Sequence, residues 1–323
     1  MRAAVLTEPG QAPTCGTHPD PVASEGTAVV RVTAAPIVPL DLLAASGTSY
    51  FGRPAVPYVP GVQGVGVVEE SASLPAGTRV WFATSAGMAP GDGSLAQRCA
   101  VREADLVPVD QDLPDEHLAA LGLSAVAAWM VLTAPGRLRA GETVLVLGAG
   151  GAVGQSAIGA ARVLGAGRVV AVCRSAEAQQ RARDLGADEV VPLEGDADAL
   201  TARFQDACNG RADVVVDPVF GVAATAASRV LGERGRLVNL GGASGDVAEF
   251  SSAVLRSRSA AVLGYTNNAL TPAERSQALA AVTRHAAAGR ISVAHEVLDL
   301  GAVSDAWRRQ AAGGTGARLV LTP

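Results

Sequence analysis

The chain has 323 residues, about twice the length of an average domain, and this length predicts two compact domains. Hydrophobic residues make up 49% and aromatic residues 3% of the chain, a composition that excludes disorder and suits helices packed closely on a sheet. The formal net charge is −5 and the basic residues are dispersed, so we expect no nucleic acid partner.

The four cysteines lie far apart and form no C-x-x-C pair, which argues against a disulfide framework and favours a reducing compartment. The N-terminal segment reaches Glu8 and Pro9 before an apolar stretch of signal-peptide length builds up. Two uncharged stretches, 118–136 and 143–161, approach the length of a membrane span, but their composition favours a buried helix and a buried strand-turn-helix. We therefore predict a cytoplasmic protein with no membrane partner.

The chain changes character near Leu121. Residues 1–121 contain short β-branched runs broken by Pro and Gly, which predict a β-rich unit. Apolar strands then alternate with Ala-rich helices, the pattern of parallel βαβ units. The predicted strands are 143–147, 168–173, 188–191, 213–217 and 236–240, and the predicted helices are 155–164, 176–185, 197–208 and 223–231. After Ser251 we expect a strand near 260–263, a helix near 273–288 and a final strand at 318–321.

A glycine-rich segment joins the first of these strands to its helix. It reads Gly148-Ala149-Gly150-Gly151-Ala152-Val153-Gly154. Glycines at such a turn let the chain reverse tightly, let a diphosphate approach the backbone, and let helix and strand pack closely. Glycine also serves purely structural turns, but the position inside five βα units favours a dinucleotide-binding turn.

The residues after the second strand bear on which dinucleotide is bound. An acidic side chain there would accept hydrogen bonds from the ribose 2′-hydroxyl of NADH. The chain instead reads Arg174-Ser175, with Arg181 two helical turns further along. A guanidinium and a hydroxyl suit a 2′-phosphate, so the sequence favours NADPH over NADH. The alternative is that Arg174 is a solvated loop residue.

Several motifs in order resemble those of the medium-chain dehydrogenase/reductase superfamily, and within it the zinc-free quinone oxidoreductases related to zeta-crystallin. The matching segments are Met1-Arg-Ala-Ala-Val5, Pro39-Leu-Asp41, Ser46-Gly47 with Tyr50, Pro57-Tyr-Val-Pro-Gly61, Gly64-Val-Gly-Val-Val68, Gly148 to Gly154, Asp213-Val-Val-Val-Asp217, Gly235-Arg-Leu-Val238 with Gly241, and Arg318-Leu-Val-Leu-Thr-Pro323. The resemblance therefore runs nearly from end to end of the chain.

This resemblance implies an α/β fold: a Rossmann doubly wound parallel sheet at 122–256 plus a β-rich GroES-like domain at 1–121, completed by the tail 257–323, with the active site in the cleft. It also implies a homodimer formed through the edge of the nucleotide-domain sheet. Leu240, Gly241 and Arg318 join the expected cofactor-binding residues.

The zinc-dependent branch carries a Cys and a Gly-His-Glu motif where this chain reads Pro36-Ile-Val-Pro39 and Gly61-Val62-Gln63. The four-cysteine lobe of the structural zinc is missing as well, so we expect no metal. Two further positions depart from the quinone oxidoreductase pattern, with Val38 in place of a common Asn and Ala127 in place of a common Thr. Both changes remove polar neighbours of the nicotinamide, so the family's site residues are only partly present in this chain.

The expected activity is NADPH-dependent hydride transfer to a quinone, an enone or another activated double bond of a small molecule. Tyr50 is the candidate that would hydrogen-bond the developing enolate, with a packing role as the alternative. Asp41 and Tyr265 are candidate substrate-pocket residues, although Asp41 also suits a structural acceptor in its loop. Two other functions stay open: reduction of an enoyl thioester or a natural-product intermediate on the same fold, and a non-catalytic NADPH-binding module.

Overall fold

The computed structural model describes residues 1–313 and 316–323 and separates into two compact units, Met1–Gly122 with Val293–Pro323, and Leu123–Ser292. The described strands are β1 (Arg2–Val5), β2 (Thr14–Thr17), β3 (Thr27–Pro36), β4 (Gln63–Glu70), β5 (Arg79–Ala83), β6 (Arg98–Arg102), β7 (Leu106–Pro108), β8 (Thr143–Val146), β9 (Arg168–Cys173), β10 (Glu189–Pro192), β11 (Ala212–Asp217), β12 (Leu231–Asn239), β13 (Ala261–Gly264), β14 (His295–Asp299) and β15 (Arg318–Thr322). The described α-helices are α1 (Pro39–Ala45), α2 (Asp115–Thr133), α3 (Ala152–Val163), α4 (Ala176–Asp184), α5 (Ala197–Ala207), α6 (Gly221–Arg229), α7 (Ser252–Arg258), α8 (Pro272–Ala287) and α9 (Val303–Ala312).

The second unit is built on a six-stranded parallel sheet in the order β10-β9-β8-β11-β12-β13. Its central strands are continuous apolar runs because the sheet is covered by helices on its faces. Leu200 and Phe204 of α5 and the alanines of α6 pack with sheet residues in one buried cluster. β8 lies between β9 and β11, so the strand order reverses there. The predicted doubly wound parallel sheet is confirmed.

The first unit is mainly antiparallel. Its seven-stranded sheet has the order β14-β15-β3-β4-β5-β7, with β6 also paired to β3, and β1 and β2 form a separate two-stranded ribbon. Leu300, Trp307 and Leu319 from the end of the chain share a buried cluster with residues such as Ala3 and Ile37 from its beginning. The tail therefore completes the core of the β-rich unit, which is the GroES-like domain.

One expected domain boundary is wrong. The tail was expected to join the β-rich unit from residue 257, but the division falls between Ser292 and Val293. The physical reason is that β13 pairs in parallel with β12 and so extends the second unit's sheet. Helix α9, which the sequence patterns missed, belongs instead to the first unit. Residues 314 and 315 of the expected tail lie outside the described residues.

Helix α2 is long and apolar enough to pass a length and hydropathy test for a membrane span. Within its most apolar window, 67% of the residues are buried inside the protein, as in a core helix. Its backbone is interrupted at Gly122, with φ 28° and ψ −132°. The second apolar stretch of the sequence forms β8, the glycine turn and most of α3, as expected for a strand-turn-helix.

Candidate functional site

The glycine turn occupies the edge of the sheet where β8 ends. Gly148 adopts φ +62°, and a Cβ atom there would lie 2.6 Å from Cγ1 of Val219. A Cβ atom on Gly154 would lie 2.5 Å from the carbonyl oxygen of Gly148 and from Cα of Ala149. Both positions therefore require glycine, the first for the turn and its neighbouring loop, the second for close contact between α3 and the turn.

Helix α3 begins at this turn without a capping side chain. Gly151 is its N-cap residue and is exposed, and Ala152 and Val153 in the first turn are partly exposed. The next two helices differ, because Ser175 caps α4 and Asp196 caps α5 through side-chain oxygens. Among the described residues, no side chain accepts from the capping positions of α3. Its amides and helix dipole therefore suit an anionic ligand.

The rest of the turn is fixed from within the unit. The backbone amide of Ala149 donates to the Val172 carbonyl at 2.8 Å, and Nε2 of Gln155 donates to the Gly150 carbonyl at 2.8 Å. A Cβ atom on Gly150 would lie 3.0 Å from Cβ of Ala178 in α4. The turn is thus held in place before any ligand binds, which lowers the entropic cost of binding.

The residues after β9 supply the positive charge expected near a 2′-phosphate. Arg174 is exposed, and its Nη2 donates to Oγ of Ser244 at 3.1 Å. Ser175 Oγ accepts from a backbone amide in the first turn of α4. Burial raises the pKa of the Cys173 thiol, and the charges of Arg183 and Arg181 on α4 oppose the rise. The structure therefore brings Arg174, Ser175 and Arg181 to the end of β9.

Leu240 and Gly241 follow β12 at the same edge of the sheet. The Leu240 amide donates to the Asp217 carbonyl at 2.9 Å, and Nδ2 of Asn239 donates to the Gly241 carbonyl at 2.7 Å. A Cβ atom on Gly241 would lie 2.9 Å from the Pro218 carbonyl oxygen. The segments after β8, β9, β11 and β12 thus meet at the carboxyl ends of the strands, on either side of the reversal in strand order, where doubly wound sheets bind ligands.

Arg318 does not join this group. It belongs to the first unit, where it is 7% exposed and its Nη1 donates to the Ile37 carbonyl at 3.0 Å. Burial lowers the pKa of Arg318 to about 10, and the charge of Asp41 opposes that effect. The expected cofactor role conflicts with this buried placement, which favours a structural role as the counter-charge of Asp41.

Asp41 is a buried acceptor in the first unit. Its Oδ2 accepts from the Val38 amide at 2.7 Å and its Oδ1 accepts from the Val62 amide at 2.8 Å. Burial raises the pKa of Asp41 to about 6, while these two amides and Arg318 oppose the rise. The carboxylate therefore ties together the two segments in which the zinc-dependent branch carries metal ligands. This geometry suits the structural alternative better than a substrate contact.

The two tyrosine candidates have different surroundings. Tyr50 is 80% exposed and its ring lies 4.2 Å from that of Phe51, centroid to centroid. Tyr265 follows β13, and its phenol donates to Oδ1 of Asn267 at 2.7 Å, while Nδ2 of Asn267 donates to the Leu123 carbonyl. Burial raises the pKa of Tyr265. Tyr265 is thus committed to a local network, whereas Tyr50 is accessible to a ligand.

The sequence matches the zinc-binding dehydrogenase family over residues 152–284 and the alcohol dehydrogenase GroES-like domain over residues 24–111. The structure superposes on quinone oxidoreductase from Thermus thermophilus, a protein also solved in complex with NADPH, with a TM-score of 0.79, 29% identity and 100% coverage of both chains. The chain belongs to the medium-chain dehydrogenase/reductase superfamily. The resemblance to its quinone oxidoreductase-like branch is confirmed.

Similarity also extends to a polyketide synthase and to an enoyl reductase. A phenolphthiocerol/phthiocerol polyketide synthase of Mycobacterium tuberculosis is 28% identical over 306 residues, covering 91% of this chain. Mitochondrial enoyl-[acyl-carrier-protein] reductase of Dictyostelium discoideum is 28% identical over 245 residues, covering 74% of this chain and 69% of that protein. The chain spans only 13% of the length of the polyketide synthase.

The segments that would carry metal ligands in the zinc-dependent part of the superfamily are largely buried here and contain no Cys, His or Glu. Val38 is 4% exposed and Val62 is 1% exposed. Within residues 1–313 and 316–323, no group of three or more His, Cys, Asp or Glu side chains is arranged to hold a metal ion. The residues present at these positions therefore do not fit a catalytic zinc.

Sequence reasoning missed Asp217, its hydrogen-bond partner Asn239, and Ser244, which accepts from Arg174. Asp217 is fully buried at the end of β11, and burial raises its pKa. A usable signal existed, because an aspartate that ends a run of three valines at the carboxyl edge of a parallel sheet is placed next to the ligand-binding edge. From the sequence, Asp217 was recognised only as the last residue of a predicted strand and as part of a superfamily motif.

Proposed function

We propose that this chain is an NADPH-dependent oxidoreductase that transfers hydride to a quinone, an enone or another activated double bond, without a metal ion. The observation that carries the proposal is the uncapped start of α3. Its glycine turn lies at the reversal in strand order, and its exposed first residues present amides for a diphosphate.

The residues present fit a dinucleotide with a 2′-phosphate. The glycine turn, Gly148 to Gly154, would hold the diphosphate, and the guanidinium of Arg174 at the end of β9 would hold the 2′-phosphate. Ser175 Oγ accepts from the Ala178 amide, and its hydroxyl hydrogen-bonds the Glu177 carboxylate, so it would have to leave Glu177 to donate to the phosphate. Bound NADPH supplies the hydride, so the protein contributes binding, orientation and exclusion of water.

Side-chain chemistry on the substrate is limited to one proposed contact. The phenol of Tyr50 is exposed and would donate a hydrogen bond to the oxygen on which negative charge develops during hydride transfer. Asp41 would act indirectly, by holding the backbone of Val38 and Val62 in place.

The proposal is tested by mixing purified protein with NADPH and a panel of quinones and enones, and following the loss of NADPH absorbance. We expect turnover that is unchanged by a metal chelator. Binding of NADPH without turnover on any member of the panel would favour a non-catalytic NADPH-binding module. Turnover that is lost on chelation and restored by zinc would overturn the metal-free assignment.

Reduction of an enoyl thioester is the second candidate, and the similarity to an enoyl-[acyl-carrier-protein] reductase and to a polyketide synthase favours it. Both reactions transfer hydride from NADPH to an electron-poor conjugated acceptor, so the fold does not separate them. A crotonyl thioester of pantetheine assayed beside a quinone decides between them. A kcat/KM larger by about tenfold or more for one of the two identifies the acceptor class that the site prefers.

We also propose a homodimer. β13 is an edge strand of the parallel sheet, and its residues Ala261, Val262 and Leu263 are each partly exposed. Pairing of two β13 strands would cover the backbone groups that an edge leaves unpaired. Sedimentation velocity of the wild type and of Leu263→Lys tests this, since we expect a dimer in the first and a monomer in the second. The cytoplasmic location stays a prediction.

A further inference from the structure

The Asp217 carboxylate accepts three hydrogen bonds although it is fully buried. Its Oδ1 accepts from the backbone amides of Val219 at 3.0 Å and Phe220 at 2.7 Å, and its Oδ2 accepts from Nδ2 of Asn239 at 3.2 Å. A buried carboxylate is costly unless such donors surround it. The three donors come from the loop after β11 and from the end of β12, so one side chain fixes both.

The backbone next to Asp217 is in a conformation that needs such support. Phe220 has φ 58° and ψ −153°, a region that residues with a side chain rarely adopt. Its amide is one of the two that Asp217 accepts. The hydrogen bond therefore compensates part of the strain and sets the direction in which α6 begins.

Two chains of contacts run from this carboxylate to the proposed coenzyme site. Val219, whose amide Asp217 accepts, lies against the position where Gly148 would carry a Cβ atom. The Val219 carbonyl accepts from the Ser244 amide at 2.8 Å, and Ser244 Oγ accepts from Arg174. The loop that Asp217 fixes thus contacts both the diphosphate turn and the partner of the guanidinium expected to bind the 2′-phosphate.

We propose that Asp217 is the positioning residue of the coenzyme site, holding the loops after β11 and β12 against Gly148 and beside Arg174. The inference rests on the proposed function, because it assigns Asp217 to the site where NADPH would bind. Asp217 itself touches no reacting atom in this role. It acts on the coenzyme through Val219, Ser244 and the glycine turn.

The test is Asp217→Asn, with the dissociation constants of NADPH and NADH measured by fluorescence titration. Asparagine still accepts from the two amides, but it turns an N–H group toward the Nδ2 donor of Asn239. We expect both dissociation constants to rise about tenfold, equivalent to about 1.4 kcal/mol. With coenzyme saturating, the KM for the second substrate is expected to stay unchanged.

Asp213 provides a matched control at the opposite end of the same strand. Its Oδ2 accepts from the Thr143 amide at 2.8 Å, away from the carboxyl edge of the sheet. Asp213→Asn removes the same charge from the same strand. We expect it to leave both dissociation constants within about twofold of the wild type, whatever it does to the melting temperature.

A second variant, Asn239→Ala, covers the case in which Asp217→Asn does not fold. It removes one donor to the carboxylate and the hydrogen bond to the Gly241 carbonyl. We expect both dissociation constants to rise only about threefold, because the two backbone amides of Val219 and Phe220 still hold the carboxylate. Wild-type protein that binds neither coenzyme would refute the proposed function and this inference together. Wild-type protein that binds while the folded variants bind equally well would overturn this inference alone.

Discussion

The turn after β8 and the turn after β11 both leave backbone amides that need an acceptor, and they differ in where that acceptor comes from. Each carries the chain from the carboxyl end of a parallel strand into a helix and leaves backbone amides at the same edge of the sheet. After β11, the Asp217 carboxylate accepts from two of these amides. After β8, no described side chain caps α3. The protein supplies the negative charge at one turn and leaves it to a ligand at the other.

The sequences of the two turns differ according to whether a side chain or a ligand supplies the acceptor. The turn after β8 is made of Gly, Ala and Val, which bring no acceptor and leave space for a ligand at the backbone. The turn after β11 reads Asp217-Pro218-Val219-Phe220, with bulky residues that fill the space beside Gly148. The packed residues of the turn after β11 therefore limit the shape of ligand that the open glycine turn after β8 can accept.

The largest expected effect comes from Gly151→Asp, which gives the first turn a carboxylate of its own. Gly151 has φ −82° and ψ 166°, and a Cβ atom there would meet only the Gly148 carbonyl oxygen at 3.6 Å, so the substitution fits without strain. The new carboxylate would cap α3 and repel a diphosphate. We expect NADPH affinity to fall about a thousandfold, or about 4 kcal/mol, with the melting temperature equal or higher.

Gly151→Asn is the matched control for this variant, because asparagine caps a helix without carrying a charge. It should weaken NADPH less than the aspartate does, since it occupies an amide but adds no repulsion. Calorimetric titration gives both affinities and thermal unfolding gives both stabilities. Unchanged affinity in Gly151→Asp would show that the diphosphate does not use the amides of α3.

A second test concerns a buried carboxylate in the other unit, where no phosphate is expected. Asp41 has its pKa raised by burial to about 6, against a usual value near 3.8. The folded state therefore binds an extra proton between about pH 4 and pH 6, and stability falls as the pH rises through that window. The loss from this group amounts to about 3 kcal/mol.

Asp41→Asn removes this titration. The difference in stability between the wild type and this variant therefore separates the contribution of Asp41 from those of other carboxylates. Glu142 and Asp188 have pKa values that are lowered, mainly by hydrogen bonds from arginines, and they change stability in the opposite direction in both proteins. Urea unfolding of the GroES-like unit, monitored at several pH values, gives the difference. A constant difference in the free energy of unfolding across the window would mean that Asp41 keeps an ordinary pKa.

Features that depend on neighbouring residues in the sequence could be predicted, whereas contacts between distant residues could not. The strands and the glycine turn of the second unit were predictable because buried parallel strands are continuous apolar runs and glycine marks the tight turn locally. The Asp217 network was not, because Asn239 becomes a neighbour of Asp217 only through the pairing of β11 with β12, and Ser244 reaches Val219 only through the loop after β12. The buried placement of Arg318 was missed for the same reason, since its partner Asp41 lies at the opposite end of the sequence. A local sequence pattern is enough to predict a turn, whereas hydrogen bonds between residues on different strands can be identified only once the fold is known.

The smallest of these effects is expected from a change at Arg174, where the coenzyme would contact a side chain rather than the backbone. Arg174→Glu reverses the charge beside the proposed 2′-phosphate, and we expect NADPH affinity to fall about thirtyfold, or about 2 kcal/mol, with NADH affinity within about twofold of the wild type. Arg211→Glu makes the same charge change just before β11 begins, at the end of the sheet opposite the glycine turn, and should leave the ratio of the two dissociation constants nearly unchanged. Both ratios come from the same fluorescence titrations. If Arg174→Glu weakens NADPH and NADH equally, the guanidinium does not distinguish the two coenzymes, and any selectivity for the 2′-phosphate arises from other groups at the end of β9.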